Sequence, residues 1–335
     1  MLVGFSLLIV ILLLYWLSLS NIKWLRRRVE PSTNYNLVEE NKLISTGCSN
    51  VFHLLLNGNI QDKLIRGRFD PHVDVMLTRQ RREVSMEAER WWKSIQPQKI
   101  EKSLRQAIDD VSTVLPLDDP FHHSDNRCHR CAVVGSSYNL IKSRYGSLID
   151  SKEIVIRMNT APVVGYEVDV GSKCTHNIVY PESSWGYQNV SASGKLLLVP
   201  FKMLNFDWLI SIFTTHSISW GWRKVPTHLA LSPKDAAILH PNFVHYVQTE
   251  WLQTNGRKPS AGMLALILSL HVCDEVDVFG FGRNQYGNWH HYYDKNENKN
   301  VDPFRRTGVH DAETEEAVRM ALHKAGVIRF HAGRT

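Results

Sequence analysis

The chain has 335 residues, of which 43% are apolar, 10% aromatic and 21% charged, a composition that fills sizeable cores and excludes a disordered tail or a fibre. Thirty-nine Lys and Arg against 33 Asp and Glu leave a net charge of +6. That excess is too mild for a general polyanion-binding surface, nucleic acid included, and suits a local pocket for an anionic ligand.

In chain order, Leu2 to Leu19 carries no charged side chain and is followed by Lys23, Arg26, Arg27 and Arg28. The run is long enough to cross a bilayer, so residues 1–20 are expected to be a transmembrane signal-anchor; the alternative is a cleaved signal peptide with its small-residue site at Ser18-Leu19-Ser20. Both readings put the rest of the chain in the secretory pathway, although the basic flank on the far side of the run favours the opposite orientation by the positive-inside rule. Residues 21–75, with Pro31 and Pro71 and no firm period, read as a stem, and residues 76–335 as one catalytic-sized domain. Arg79 to Ile95 and Lys99 to Leu115 repeat apolar positions at helical spacing, and a linker runs from Asp118 to Arg130.

From Cys131 the texture becomes α/β. Ala132 to Val134, Ile154 to Met158, Leu196 to Val199 and Val276 to Phe279 are short apolar runs ending in polar or glycine residues, as expected of buried strands. Strands separated by helical stretches predict a mainly parallel sheet with helices on both faces, and ligands in such sheets sit at the carboxyl ends of the strands. Among the five cysteines, Cys48, Cys128, Cys131, Cys174 and Cys273, no CxxC pair recurs, which speaks against zinc; two disulfides and a spare thiol suit an oxidising compartment. Asn189-Val190-Ser191 is a glycosylation sequon.

Three constellations carry chemistry. Ser260 caps an apolar run from Met263 to Cys273, and small residues Ala261 and Gly262 let an anion reach the free N–H groups of that helix end; an ordinary capped core helix is the bland alternative. Gly280-Phe281-Gly282 lacks the third glycine of a dinucleotide fingerprint, and the adjacent His290 and His291 lack the helical spacing of a metal pair. His310 stands at or just before the cap of a helix ending at Gly326, where a helix dipole favours the neutral imidazole that a general base requires; a capping histidine is the bland alternative.

These motifs together resemble the animal sialyltransferases, glycosyltransferase family 29. Cys131 to Asp150, Arg157-Met158-Asn159, Val168 to Lys173 and Val179 to Ser183 resemble the long sialylmotif. Pro259 to Glu275 with Gly280 to Gly282 resemble the short one, His290-His291-Tyr292 the third, and His310 with Glu315 the very short one. Val199 to Lys202, His240-Pro241, Gly256-Arg257 and Arg306 to Asp311 are most similar to the β-galactoside α-2,3-sialyltransferases acting on Galβ1-3GalNAc.

The resemblance implies a variant GT-A-like, Rossmann-like α/β domain on a Golgi single-pass type II anchor. Its activity would be inverting and metal-independent, with no cofactor, in keeping with the lack of a DxD motif. The donor would be CMP-N-acetylneuraminic acid and the acceptor the 3-OH of galactose on a glycoprotein or glycolipid. His310 would be the base and His291 a donor to the departing phosphate. Ser136, Ser137, Asn159, Ser260, Gly262 and Gly282 would contact nucleotide or donor, Gln80 and Trp222 the acceptor, and Lys258 the substrate pocket. Cys131 would pair with Cys273 and Cys48 with Cys128, leaving Cys174 free.

The chain departs from the family's pattern at Ser136, an asparagine elsewhere, at Tyr138, a glycine, at Ala261, a threonine, and at Trp222 and Lys258, which are tyrosines. These departures leave a non-catalytic glycan- or nucleotide-binding relative, or transfer to another acceptor, as alternatives.

Overall fold

The structure, a computed structural model, describes residues 51–58, 60–121, 128–187, 194–283, 289–294 and 308–333. The signal-anchor segment, Cys48 and Asn189 lie outside them, and among the described residues no helix is long and apolar enough to cross a membrane.

In chain order come α1 (Val51–Asn57), α2 (Met86–Ser94), α3 (Leu104–Ser112), β1 (Arg130–Val134), α4 (Gly146–Asp150), β2 (Ile154–Met158), α5 (Glu167–Val170) and β3 (His176–Val179). They are followed by β4 (Lys195–Leu198), α6 (Met203–Phe213), β5 (Ala236–Ile238), α7 (Pro241–Tyr246), α8 (Ala261–Val272), β6 (Glu275–Phe279), α9 (Ala312–Lys324) and β7 (Arg329–His331). Among the described residues the strands form one seven-stranded sheet in the order β5-β4-β3-β2-β1-β6-β7, every neighbouring pair parallel. The sequence signalled β1, β2, β4 and β6; β3, β5 and β7 are only three or four residues long and escape a periodicity reading.

Strand alternation sorts the core onto two faces. Cys131 and Val133 of β1, Ile156 and Met158 of β2 and Leu197 of β4 pack with α8 on one face. Ala132 and Val134 pack with Leu140, Ile149 and Tyr292 on the other, where Leu196 and Leu198 meet α3 and α6. Helix α8 is apolar around its whole circumference because it is covered on all sides: Met263 to Leu268 and Leu270 are at most 2% exposed. Its C-terminal Cys273 is disulfide-bonded to Cys131 with Cα atoms 6.0 Å apart and a sequence separation of 142, a closure that stabilises by about 5 kcal/mol on the chain-entropy estimate. Cys128 is also disulfide-bonded, and Cys174 is a buried thiol outside any disulfide.

The compact unit starts at Cys48, so a domain boundary at residue 76 cuts through packed chain. Val51, Ile65 and Phe69, in the stretch expected to be stem, are buried in the α8 core. Their apolar positions lack a period because they pack from turns and one short helix.

Three imidazoles sit in this core: His176 stacks on Phe121 at 4.3 Å, His271 on Phe69 at 4.6 Å, and His240 caps α7. Burial holds them neutral, with pKa values pushed down to about 4 for His176 and His240 and about 3 for His271. An unfolded chain takes up these protons first as pH falls through about 6.5, so stability present above that pH is lost on the way toward pH 4. We expect unfolding midpoints in urea to fall between pH 7.5 and pH 5, with about 1–2 kcal/mol per imidazole at stake. A flat profile over that range would show that these rings do not govern acid stability.

Candidate active site

The carboxyl ends of the strands open into a cavity of about 630 Å³. Its walls follow the sheet order. Gly135 to Ser137 extend β1 and Gly280 to Gly282 extend β6, forming one end; Asn159 follows β2, Tyr180 follows β3, and Phe201 with Lys202 follow β4 toward the other.

The β1/β6 end is built by close backbone approach. A Cβ on Gly135 would lie 2.3 Å from the Gly280 carbonyl, and Gly280 has φ +67°, so only glycine satisfies both positions. Ser137 donates its backbone N–H to Gly280 O at 2.9 Å and its hydroxyl to Gly282 O at 2.9 Å. The segment carrying His291 is then fastened across this turn: Tyr138 N–H donates to His290 O at 3.1 Å and Tyr292 N–H to Ser136 O at 2.9 Å. Tyr138 therefore occupies a position of ordinary φ, in a 3₁₀ turn capped by Ser137, with its ring 4.4 Å from that of His290. The conformational freedom of a glycine is not needed there in this chain.

Two groups in the cavity await partners. Asn159 holds φ +57°, and its buried Oδ1 makes no hydrogen bond; the buried Asn205 Nδ2 is likewise unused. An acceptor and a donor left unpaired at a cavity wall cost stability unless a ligand takes them up.

His291 donates from Nδ1 to Asp294 Oδ2 at 3.1 Å while its backbone N–H donates to the same oxygen at 3.0 Å. Its ring stacks on Tyr293 at 5.0 Å, so the imidazole is held from two sides as it lines the cavity.

His310 is oriented differently. Its Nδ1 lies 2.8 Å from the Lys258 carbonyl, an acceptor that forces the proton onto Nδ1 and the lone pair onto Nε2. Burial, with the Lys258 ammonium nearby, lowers its pKa to about 4, so the ring is neutral and able to accept a proton at physiological pH.

Position is enforced by Glu315. Asp311 caps α9 by accepting from Thr314 N at 2.7 Å. One turn on, Glu315 accepts the Ser260 N–H at 2.9 Å and the Ser260 hydroxyl at 2.5 Å. The Ser260 hydroxyl also caps α8 through Met263 N at 3.0 Å. The two helix ends, one lining the cavity at Ala261 and Gly262 and the other following His310, are thereby locked together. Burial pushes the Glu315 carboxyl up to about 7.

Of the residues singled out from sequence, Ser136, Ser137, Asn159, Trp222, Lys258, Ser260, Gly262, Gly282, His291 and His310 all line this one cavity. Gln80 is exposed and stands outside the lining. Ser260 spends both its N–H and its hydroxyl on Glu315, so its part is to hold the helix ends. Phe201, Lys202, Asn205 and Arg257 line the cavity without having been singled out as site residues; the position of Lys202 just after a strand was the available signal. Among the described residues no group of three or more His, Cys, Asp or Glu side chains is placed to hold a metal ion.

Residues 76–327 match the model of "Glycosyltransferase family 29 (sialyltransferase)". The human CMP-N-acetylneuraminate-beta-galactosamide-alpha-2,3-sialyltransferase 1 is 42% identical over 269 residues, covering 80% of this chain and 78% of the relative. The rat CMP-N-acetylneuraminate-beta-galactosamide-alpha-2,3-sialyltransferase 2 is 40% identical over 266 residues, covering 79% and 75%. Among solved structures, a mammalian sialyltransferase superposes with TM-score 0.73 at 40% identity, over 82% of this chain and 97% of that one. A mammalian sialyltransferase in complex with Gal-beta-1-3GalNAc-ortho-nitrophenol gives 0.76 at 37% identity, over 86% and 100%. With the strand-end cavity and both motif histidines inside the matched span, the chain belongs to glycosyltransferase family 29, the sialyltransferases.

Proposed function

We propose that this enzyme transfers N-acetylneuraminic acid from its CMP ester to the 3-OH of a terminal galactose, with inversion and without a metal. The observation that carries the reading is the His310 ring, neutral and with its lone pair fixed on Nε2 by the Lys258 carbonyl, on the wall of a cavity whose far end is a glycine cradle. The acceptor O3–H gives its proton to Nε2 as the new bond forms from O3 to the anomeric carbon. The bond from that carbon to the phosphate oxygen breaks, and CMP leaves with the electron pair, its phosphate met by His291 and the N–H groups at the start of α8.

The named relatives and the acceptor analogue of the solved structure support galactose of Galβ1-3GalNAc, on a glycoprotein or glycolipid, as the acceptor. The apolar run at residues 2–19 supports a signal-anchor, residues 21–75 a stem in part, and the whole a type II protein of the Golgi membrane.

The test is transfer from labelled CMP-N-acetylneuraminic acid by the full-length chain in detergent, with EDTA present, to Galβ1-3GalNAc and Galβ1-4GlcNAc. Transfer is expected to favour the first and to persist in EDTA. Intact CMP binding with no transfer to either acceptor would favour a non-catalytic relative, and loss in EDTA would overturn metal independence.

A further inference from the structure

The cavity end opposite the glycine cradle carries more positive charge than its surroundings balance. Lys202, after β4, is paired with the buried Glu182 at 2.8 Å, and these two cancel. Arg257 and Lys258 face the same space. Arg257 donates one N–H to the Ile95 carbonyl at 3.2 Å, and no carboxylate lies within ion-pair distance of it among the described residues. Lys258 Nζ sits 3.8 Å from the centroid of the Phe201 ring. It makes no hydrogen bond or ion pair to any described residue, so the aromatic face and the more distant Glu182 carboxylate, already paired with Lys202, are what compensate a largely desolvated ammonium. Burial and the neighbouring Lys202 accordingly lower its pKa to about 8.

A cation left in this state gains most from an oxyanion that displaces its remaining water. The site's topology says where that anion would lie. Lys258 supplies the carbonyl that orients His310, and its ammonium lies on Phe201, which follows β4, so the side chain stands on the β4 side of the cavity rather than at the β1/β6 cradle.

We propose that Lys258, with Arg257 beside it, forms an oxyanion subsite that holds a carboxylate or sulfate of a bound sugar next to the reacting atoms. The inference rests on the sialyltransferase reading above. The anion has two sources of the same chemistry: an acidic substituent on the acceptor galactoside, or the carboxylate of the donor sugar itself.

The full-length chain in detergent decides between them. Rates are measured for wild type, Lys258→Met and Lys258→Arg with Galβ1-3GalNAc and its 6-O-sulfated form. Calorimetry adds the affinities of both disaccharides, of CMP-N-acetylneuraminic acid and of CMP. Methionine keeps the stem over Phe201 and removes only the charge. For an acceptor anion, Lys258→Met lowers the ratio of kcat/KM for the sulfated over the neutral disaccharide by about tenfold, whatever it does to the rate the two share, and Lys258→Arg restores the ratio. For the donor carboxylate, the same variant weakens CMP-N-acetylneuraminic acid and not CMP. The proposal is overturned if Lys258→Met alters neutral and sulfated acceptors alike and leaves the affinity ratio of CMP-N-acetylneuraminic acid to CMP unchanged. A wild-type chain that transfers to no acceptor would sink the sialyltransferase reading, while the two calorimetric ratios would still decide the subsite.

Discussion

Replacement of His310 by Gln is expected to lower transfer by roughly 10²–10⁴-fold while CMP affinity stays within a few-fold of wild type. Glutamine can donate to the Lys258 carbonyl as the imidazole does, so the loop and the Ser260–Glu315 bracket are preserved; what disappears is the basic Nε2. The loss must therefore appear in kcat, because no ground-state contact of the nucleotide is removed. The acid limb of the wild-type rate should lie below the ordinary histidine value. His310 has its pKa lowered to about 4 by burial and by the cationic neighbour, and protonation at lower pH fills the lone pair that, in the proposed mechanism, takes the acceptor proton. Near-normal turnover by the Gln variant would remove His310 from the role of base and shift attention to His291 of the third motif.

Replacement of Asp277 by Asn is expected to cost about 3–5 kcal/mol of folding stability, while the folded fraction keeps its affinity for CMP. Asp277 lies in the middle of β6 and is 1% exposed. Its carboxylate receives Lys152 Nζ at 2.6 Å, Arg329 Nε at 3.0 Å and Nη2 at 2.9 Å, and His331 Nε2 at 2.7 Å. Those donors hold its pKa well below the usual carboxylate range against the opposing effect of burial. The amide removes the charge and leaves the buried Lys152 without its counterion. Three of the four donated bonds come from the three-residue strand β7, whose sheet neighbour among the described residues is β6. The edge strand should thus loosen first, visible as early hydrogen exchange at residues 329–331 and a lower urea midpoint. A midpoint within about 0.5 kcal/mol of wild type would show that the ion cluster contributes little beyond the packing of Phe279 on His331, rings 4.3 Å apart.

These outcomes trace back to different levels of the chain. Sequence alone determined the α/β class, because short apolar runs such as Ala132 to Val134 and Val276 to Phe279 end in glycine or polar groups and alternate with helical stretches. It also determined the capped apolar helix at Ser260 and the order of the motifs, all of which are local patterns of residue type and spacing. Helix starts were less legible: α2 begins at Met86 after the Ser85 cap rather than at Arg79, since charged residues fit a helical period without forming a turn. Strands β3, β5 and β7 were invisible because three or four residues carry no period of their own. The pairing that makes them strands comes from neighbours distant in sequence.

Tertiary structure decided the rest. The Glu315 bracket on Ser260, the Lys258 carbonyl that sets the tautomer of His310, and the Asp294 hold on His291 involve partners on different elements or on a loop without a repeating pattern. Whether a residue lines the cavity also depends on the sheet order, which brings the ends of β1 and β6 together although about 140 residues separate them. Gln80 illustrates the limit: the resemblance implies an acceptor contact, whereas in the structure the residue is exposed and outside the cavity lining. Spacing along a chain fixes which side chains share a helix face or a strand face; which faces meet is set by the burial of apolar surface over the whole domain.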